Sequence, residues 1–318
     1  MSKYARGPLD FAKLQTVSLE ERGGKVKAAD FASPYRPGSG VAGWLDSLPH
    51  ILAGNAFRAV VERLRAARAN RRAIVWGLGG HVIKCGLAPV LADLMRRGYA
   101  TLFAMNGAAA IHDFEIALAG HTSEDVEAAL PDGRFGAAEE TGWEMNQAII
   151  RGDADNLGIG ESLGRCLDEA ELRCPAQSLL LQAYRQGVPV TVHVALGTDT
   201  PHTHPAADGA AIGSASLRDF RLFCAYLADL DQGGVYLNVG SAVVLPEVFL
   251  KAISAVRNLG RPLAGFTTAN FDFLQQYRPR VNVVERPHAQ AGGAGYAITG
   301  HHELTIPLLA AALIEIES

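Results

Sequence analysis

The sequence predicts an α/β protein with a doubly wound parallel sheet of the Rossmann-like class. Short apolar runs rich in β-branched residues alternate with stretches whose apolar residues recur at helical spacing, which is typical of successive βαβ units. Glycine-rich turns follow several of these runs. The clearest unit covers residues 73–119, where a strand, a glycine-rich turn, a helix, a second strand and a small-residue turn succeed one another.

This first unit also provides the first candidate site. Strands are predicted at Ala73–Gly77 and Ala100–Met105, followed by Gly79-Gly80 and by Asn106-Gly107-Ala108. Such turns lie at the carboxyl ends of parallel strands, where open sheets bind ligands, and glycine lets the backbone approach a ligand closely. The turns therefore indicate a dinucleotide site, unless the glycines serve only to make tight turns.

The remaining elements follow in the same alternation. We predict further strands at Val188–Leu196, Gly234–Gly240, Leu263–Thr268 and Ala294–Thr299, with helices near 53–70, 82–97, 160–171, 176–186, 216–230, 246–259 and 305–316. Residues 1–45 are interrupted by glycine and proline, and we interpret them as an N-terminal arm or a partly disordered tail. Residues 46–318 are expected to form a single α/β nucleotide-binding domain.

Composition limits the class of partner. The chain has 318 residues, 48% of them hydrophobic, and a net charge of −4, so nothing indicates binding to nucleic acid or to a membrane surface. It contains no apolar run long enough to span a bilayer and no apolar leader at its start. The four cysteines are scattered without a CxxC spacing, which favours a reducing compartment. We therefore expect a cytoplasmic protein with a small-molecule substrate.

Three segments together resemble a known family. They are Gly79-Gly80-His81, Met105–Ala109 and His112-Asp113-Phe114-Glu115, and their order resembles the deoxyhypusine synthase family. The resemblance extends over roughly residues 70–315, and a weaker one links the chain to archaeal-type ornithine cyclodeaminases, which share the NAD-binding fold. It implies NAD as the cofactor, a small amine or amino-acid-like substrate, transferase or deaminase chemistry, and a homotetramer.

The same resemblance assigns cofactor-binding positions. In the synthase family NAD is held by the ends of several strands, and the matching positions here are Gly79, Gly80, His81, Asn106, Gly107, Ala108, Asp208, Gly209, Gly240, Ser241, Thr268 and Ala269. Asp199 competes with Asp208 for the place of the family's aspartate. His81 and His112 follow strand ends, and we expect them to contact the cofactor or a carboxylate substrate.

One departure from the family changes the expected reaction. The family's catalytic lysine, which forms an imine with the transferred group, lies shortly before the last strand. This chain has no lysine after Lys251, and His288 falls near that place. A lysine imine cannot form there, so deoxyhypusine formation is not expected. Lys84 is an alternative nucleophile or a contact for phosphate.

Histidines in the loop after a predicted strand indicate a second candidate site. His202 and His204 follow a predicted buried strand, close to His193. A His-x-His pair can present two imidazoles to a metal, with His301 or His302 as a third ligand. Alternatively these imidazoles act as acid or base, since imidazole titrates near neutrality, or they are structural.

These observations support one functional hypothesis with three alternatives. We predict transient hydride abstraction by NAD from an amine or alcohol carbon, with His288, His204 and His202 as catalytic residues in one cleft that includes Asp208. No resident metal is assigned. The alternatives are an NAD-dependent cyclodeaminase, a metal-dependent hydrolase using His202 and His204, and a non-catalytic nucleotide-binding protein.

Overall fold

A computed structural model describes residues 3–315 and confirms the predicted fold class. Across these residues, six parallel strands form one sheet in the order β3-β2-β1-β4-β5-β6. This is the strand order of doubly wound dinucleotide-binding proteins. The strands are β1 Ile74–Leu78, β2 Leu102–Asn106, β3 Val190–His193, β4 Val235–Val239, β5 Thr267–Asp272 and β6 Ala294–Thr299.

Helices cover both faces of the sheet. Alternate residues of β1 face opposite layers, because Trp76 belongs to one buried apolar cluster and Val75 to another. The helices are α1 Gly40–Ser47, α2 Leu52–Ala69, α3 Gly80–Lys84, α4 Ala88–Arg96, α5 Gly107–Ala119, α6 Val126–Ala129, α7 Glu139–Ala154, α8 Ile159–Glu169, α9 Leu179–Arg185, α10 Gly209–Ala228, α11 Val244–Asn258, α12 Tyr277–Pro279 and α13 His302–Glu315.

The fifth strand lies later in the chain than its apolar run predicts. Leu263 and Gly265 have positive φ angles, 42° and 65°, which interrupt an extended conformation. Leu263 and Phe266 are buried nonetheless, because they pack into the core from a loop. The apolar run therefore marks core residues rather than a strand, and β5 begins at Thr267.

Two helices also differ from their predicted bounds. The helix predicted after β1 is divided into α3 and α4 because Gly86 has a φ of 75°. α10 begins at Gly209, seven residues before the predicted start, because the Asp208 side chain accepts hydrogen bonds from the amides of Ala210 and Ala211 at 2.8 and 3.1 Å. These bonds cap the helix and satisfy two of its first amides.

The N-terminal residues lie largely on the surface. Most side chains of residues 3–39 are exposed, and short 3₁₀ turns occur at Phe11–Lys13 and Ala28–Asp30. α1 begins at Gly40, inside the predicted arm, and is joined to α13 by the bond from the Val41 amide to Glu315 at 2.9 Å. The division at residue 45 stays a prediction. In the described chain, every helix is too short or too polar to cross a membrane.

Candidate functional site

Two loops meet at the centre of the sheet's carboxyl edge, one at Gly79 and one at Gly240, and we name this contact the floor. The strand order reverses between β1 and β4, and Gly79 and Gly240 follow these two strands. A Cβ atom placed on Gly79 would lie 2.0 Å from the carbonyl oxygen of Gly240. The two loops therefore meet through their backbones. The buried Ser241 hydroxyl, next to Gly240, accepts a hydrogen bond from the Leu245 amide at 3.2 Å.

A cleft of about 280 Å³ opens beside this floor. Its walls come from the segments that follow three strands: Lys84 at the end of α3, Ala108 at the start of α5, and Thr198 to Pro201 after β3. Residues 121–138, which we name the roof segment, border the cleft through Ser123, Glu124 and Phe135. Because three strand ends supply its walls, the cleft occupies the usual ligand position of an open parallel sheet.

Three side chains in or beside the cleft form a hydrogen-bonded chain. The Thr122 hydroxyl donates to Glu115 at 2.5 Å, and His112 Nδ1 lies 2.7 Å from the same hydroxyl oxygen. Since the hydroxyl proton goes to Glu115, His112 must donate its Nδ1 proton, which leaves Nε2 as an acceptor. Burial, and then the charge of Lys84, lower the pKa of His112 to about 4. His112 is therefore neutral at physiological pH.

The amino terminus of α5 lies next to the carboxylate of Asp199. Asn106 caps the helix by accepting from the Ala109 amide at 2.9 Å. A Cβ atom on Gly107 would lie 2.1 Å from Asp199 Oδ2. That oxygen is buried and has no hydrogen-bond partner within residues 3–315, and burial raises the pKa of Asp199. An acceptor without a donor therefore lies at the wall of the cleft.

An acidic groove adjoins the cleft. It has a volume of about 810 Å³ and shares Glu115, Ser123, Glu124, Ala138 and Thr141 with the cleft. Further carboxylates line it at Glu140, Glu144 and Glu171, against the basic side chains of His121 and Arg173. The excess of negative charge favours a cationic ligand.

The two histidines in the loop after β3 accept hydrogen bonds from amides of the same loop. His202 Nδ1 accepts from the Gly197 amide at 3.3 Å, and His204 Nδ1 accepts from the Ala206 amide at 3.1 Å. His204 packs on α7 at Gly142, and its Nε2 lies 3.5 Å from Glu139. Within the described residues, neither histidine belongs to a group of three side chains able to hold a metal. The structure thus gives no support to the metal-dependent alternative at this loop.

The prediction that His288 shares a cleft with His202 and His204 is wrong. His288 Nε2 lies 2.8 Å from Thr268 Oγ1, and Thr268 is the second residue of β5, near the amino end of the sheet. Moreover β3 and β5 are separated by four strand spacings in the sheet, or about 19 Å. His288 therefore lies far from the loop after β3.

The expected cofactor contacts of Thr268 and Ala269 are also wrong. Both are fully buried inside β5, and the Thr268 hydroxyl donates to the Val283 carbonyl at 2.6 Å. Their motif is predicted to follow a strand but forms the strand itself. Asp208 and Gly209 lie at the start of α10 and are both exposed, and their contact with a cofactor stays a prediction.

The sequence pattern did not reveal the Glu115–Thr122–His112 chain. His112 and Glu115 are three residues apart on α5, a spacing that places both on one helix face. This spacing was the available signal. Thr122 lies beyond the end of the helix, and its link between the two side chains depends on the path of the roof segment.

The fold and the cleft define a Rossmann-like α/β protein with a ligand position at the carboxyl edge of its sheet. No known family model matches the sequence, and no curated protein matches it either. Solved structures resemble it at low identity, and they show that the fold is the one shared by deoxyhypusine-synthase-like and LOR/SDH-like proteins.

Three of these structures illustrate the similarity in fold. A protein provisionally classed as LOR/SDH from Methanococcus maripaludis S2 is 15% identical, with a TM-score of 0.52 over 84% of this chain and 71% of that one. Unliganded AgrE is 18% identical, with a TM-score of 0.53 over 85% of this chain and 34% of that one, so this chain spans about a third of AgrE. A protein provisionally classed as a deoxyhypusine synthase from Entamoeba histolytica is 10% identical, with a TM-score of 0.51 over 90% and 96% of the two chains.

Proposed function

We propose that the chain is an NAD-binding enzyme that acts on a small amine or amino-acid-like substrate. The observation that carries the proposal is the convergence of three strand-following segments on one cleft that contains Lys84 and the neutral His112. Ligand sites with a few converging polar groups at this edge of the sheet are typical of enzymes with open parallel sheets.

The polar groups of the cleft suit a dinucleotide. Asp199 Oδ2 is a buried acceptor without a donor in the described chain, and a ribose hydroxyl would supply one. Lys84 offers a positive charge to a phosphate or a carboxylate. NAD, when bound, would supply a hydride acceptor.

His112 is the residue best placed to take a proton. Its Nδ1 is committed to Thr122, so the lone pair on Nε2 is the available base. Glu115, which accepts from Thr122 and from Thr141 at 3.1 Å, fixes this orientation. The acidic groove supports a substrate that carries an ammonium group.

We do not expect deoxyhypusine formation, because no lysine follows Lys251 at the place of the family's catalytic lysine. A base that is neutral near pH 7 can accept the proton released when an amine is oxidised. Deamination or group transfer after that oxidation therefore fits His112. A cyclodeaminase is one member of that class. A non-catalytic nucleotide-binding protein would bind NAD in the same cleft but would not reduce it in the presence of any amine.

Titration with NAD tests the first step of the proposal. Calorimetry on the wild type is expected to show binding, and Ala108→Phe is expected to weaken it at least about tenfold, because a bulky side chain fills the cleft wall. Ala66→Phe, on the exposed face of α2, is the matched control and should bind as the wild type does. A wild type that does not bind NAD at millimolar concentration would overturn the proposal.

Replacing His112 tests the proposed base. Using reduction of NAD in the presence of basic amino acids and diamines as the assay, we expect His112→Ala to lower turnover by roughly 10²–10⁴ while NAD affinity is retained. Because the pKa of His112 is lowered to about 4, the base form persists down to low pH, and kcat/KM should decline only near pH 4. An acid limb centred between pH 6 and 7 would contradict this role.

We propose further that the protein is a homo-oligomer, as the expected homotetramer requires. Apolar side chains of the N-terminal segment are exposed in the single chain, among them Leu9, Phe11 and Leu14 at 83%, 71% and 66%. Exposed apolar groups in such numbers favour contact with another surface. Light scattering at micromolar concentration should give a multiple of 33.7 kDa, and a monomeric mass would exclude the assembly.

A further inference from the structure

We propose that His81, Cys85 and Glu303 bind a zinc ion at the carboxyl edge of the sheet. This site is separate from the catalytic role given to His112, and the proposal does not depend on NAD binding. It replaces the cofactor contact expected for His81, and it uses a cysteine and a glutamate that no motif in the sequence marks.

The three ligands come from two elements that meet above the sheet. His81 and Cys85 are four residues apart along α3 and its cap, so both side chains lie on one face of that turn. Glu303 lies in the first turn of α13. The two segments are separated by 218 residues in the sequence.

The distances between the ligand atoms match a tetrahedral ion. His81 Nε2 lies 3.2 Å from Cys85 Sγ, which lies 3.7 Å from Glu303 Oε2, and one ligand atom of each residue lies within 4.8 Å of the others. Zinc bonds of about 2.0–2.1 Å to nitrogen, 2.3 Å to sulfur and 2.0–2.2 Å to oxygen place neighbouring tetrahedral ligands about 3.6 Å apart. One ion can therefore reach all three atoms after small side-chain rotations.

The ligand types select the metal. A thiolate with an imidazole and a carboxylate suits Zn²⁺ and disfavours Mg²⁺ and Ca²⁺, which prefer oxygen ligands alone. Three protein ligands leave the fourth tetrahedral position for water or a substrate atom. His81 and Glu303 are exposed and Cys85 is half-buried, so an ion can enter from solvent.

Neighbouring rings hold the imidazole of His81 in place. It packs against the rings of His302 and Phe273, with centroid distances of 5.5 and 6.0 Å. His302 is itself fully buried, and its Nε2 lies 3.1 Å from the Phe271 carbonyl oxygen. His301 Nδ1 lies 3.7 Å from the other oxygen of Glu303. The ring contacts limit rotation of the His81 imidazole, and His301 lies beside the Glu303 carboxylate.

Metal analysis of the full-length protein tests the proposal. After incubation with excess Zn²⁺ and gel filtration, the wild type should retain one zinc per chain. His81→Ala, Cys85→Ser and Glu303→Gln should each lose affinity, measured by competition with a chromophoric chelator, by more than the roughly 10–100-fold that loss of an outer-shell partner costs. Cys174→Ser and His50→Ala, which change the same residue types elsewhere, should retain the wild-type affinity.

Cobalt provides a second measurement that a hydrogen-bonded cluster without metal could not reproduce. Co²⁺ bound to the wild type should show a thiolate-to-cobalt charge-transfer band, and Cys85→Ser should lose that band even if it still binds cobalt through His81 and Glu303. Circular dichroism checks that each variant is folded. A wild type that retains no zinc, or a Cys85→Ser variant that keeps the charge-transfer band, would overturn the site.

Discussion

Gly79→Ala is expected to lower the free energy of unfolding by about 3 kcal/mol or more, the upper end of the cost of overpacking. The added Cβ atom would lie 2.0 Å from the Gly240 carbonyl oxygen and 2.9 Å from the Ser241 amide nitrogen. Both contacts are with backbone, so no side chain can rotate away. Gly79 has a φ of −85°, which alanine adopts freely, and the cost is therefore steric.

Gly209→Ala is the matched control, and its effect should have the opposite sign. Gly209 is the first residue of α10, and no atom lies within 4 Å of the position that an added Cβ atom would occupy. Reduced freedom of the unfolded chain should stabilise this variant by about 0.4–1 kcal/mol. Urea unfolding followed by circular dichroism measures both changes. A Gly79→Ala variant within about 0.5 kcal/mol of the wild type would show that the two loops do not touch.

Asp113→Ala should lower the free energy of unfolding by at least about 3 kcal/mol, because it leaves three donors without an acceptor. The Asp113 carboxylate, fully buried on α5, accepts from the Ser178 hydroxyl at 2.5 Å and from the Leu179 and Leu180 amides at 2.7 and 3.0 Å. These bonds attach the start of α9 to α5. Asp93→Ala, which removes a partly exposed carboxylate paired with Arg97, should cost under about 1 kcal/mol.

The cost of Asp113→Ala should also depend on pH. Burial, opposed by the three hydrogen bonds, raises the pKa of Asp113 from 3.8 to about 6. The folded state therefore holds this proton more tightly than the unfolded state. Its contribution to stability is complete below about pH 4 and is lost as the pH rises to about 6. Denaturation at pH 4 and pH 7 should show the larger difference from wild type at pH 4, and a difference larger at pH 7 would contradict the raised pKa.

The sheet could be predicted from the sequence because its signals are local. Each strand of the first βαβ unit is a short apolar run that ends in a glycine or asparagine turn, and the structure places both within two residues of the prediction. The apolar run at 263–268 is wrongly predicted as a strand, because burial alone does not distinguish a strand from a core loop. The positive φ of Leu263 has no signature in the residue type.

The site was harder to predict because its contacts are long-range. The sequence distance of His288 from the last strand predicts a place in the cleft, yet the segment before β6 returns to the amino end of β5. The contact between Cys85 and Glu303 depends on the packing of α13 beside α3. Hydrophobic periodicity reports which residues are buried, but it does not report which polar side chains meet across the sheet edge.

The contact between Gly79 and Gly240 also determines which half of the site can adapt to a ligand. In the described chain, backbone meets backbone there, so the floor cannot widen through a change of rotamer. The roof segment, by contrast, is mostly exposed and holds only short helical turns. We therefore expect local opening to begin in the roof segment. Amide hydrogens there should exchange with solvent long before those of the floor, so a ligand would enter the cleft from the side of the roof segment.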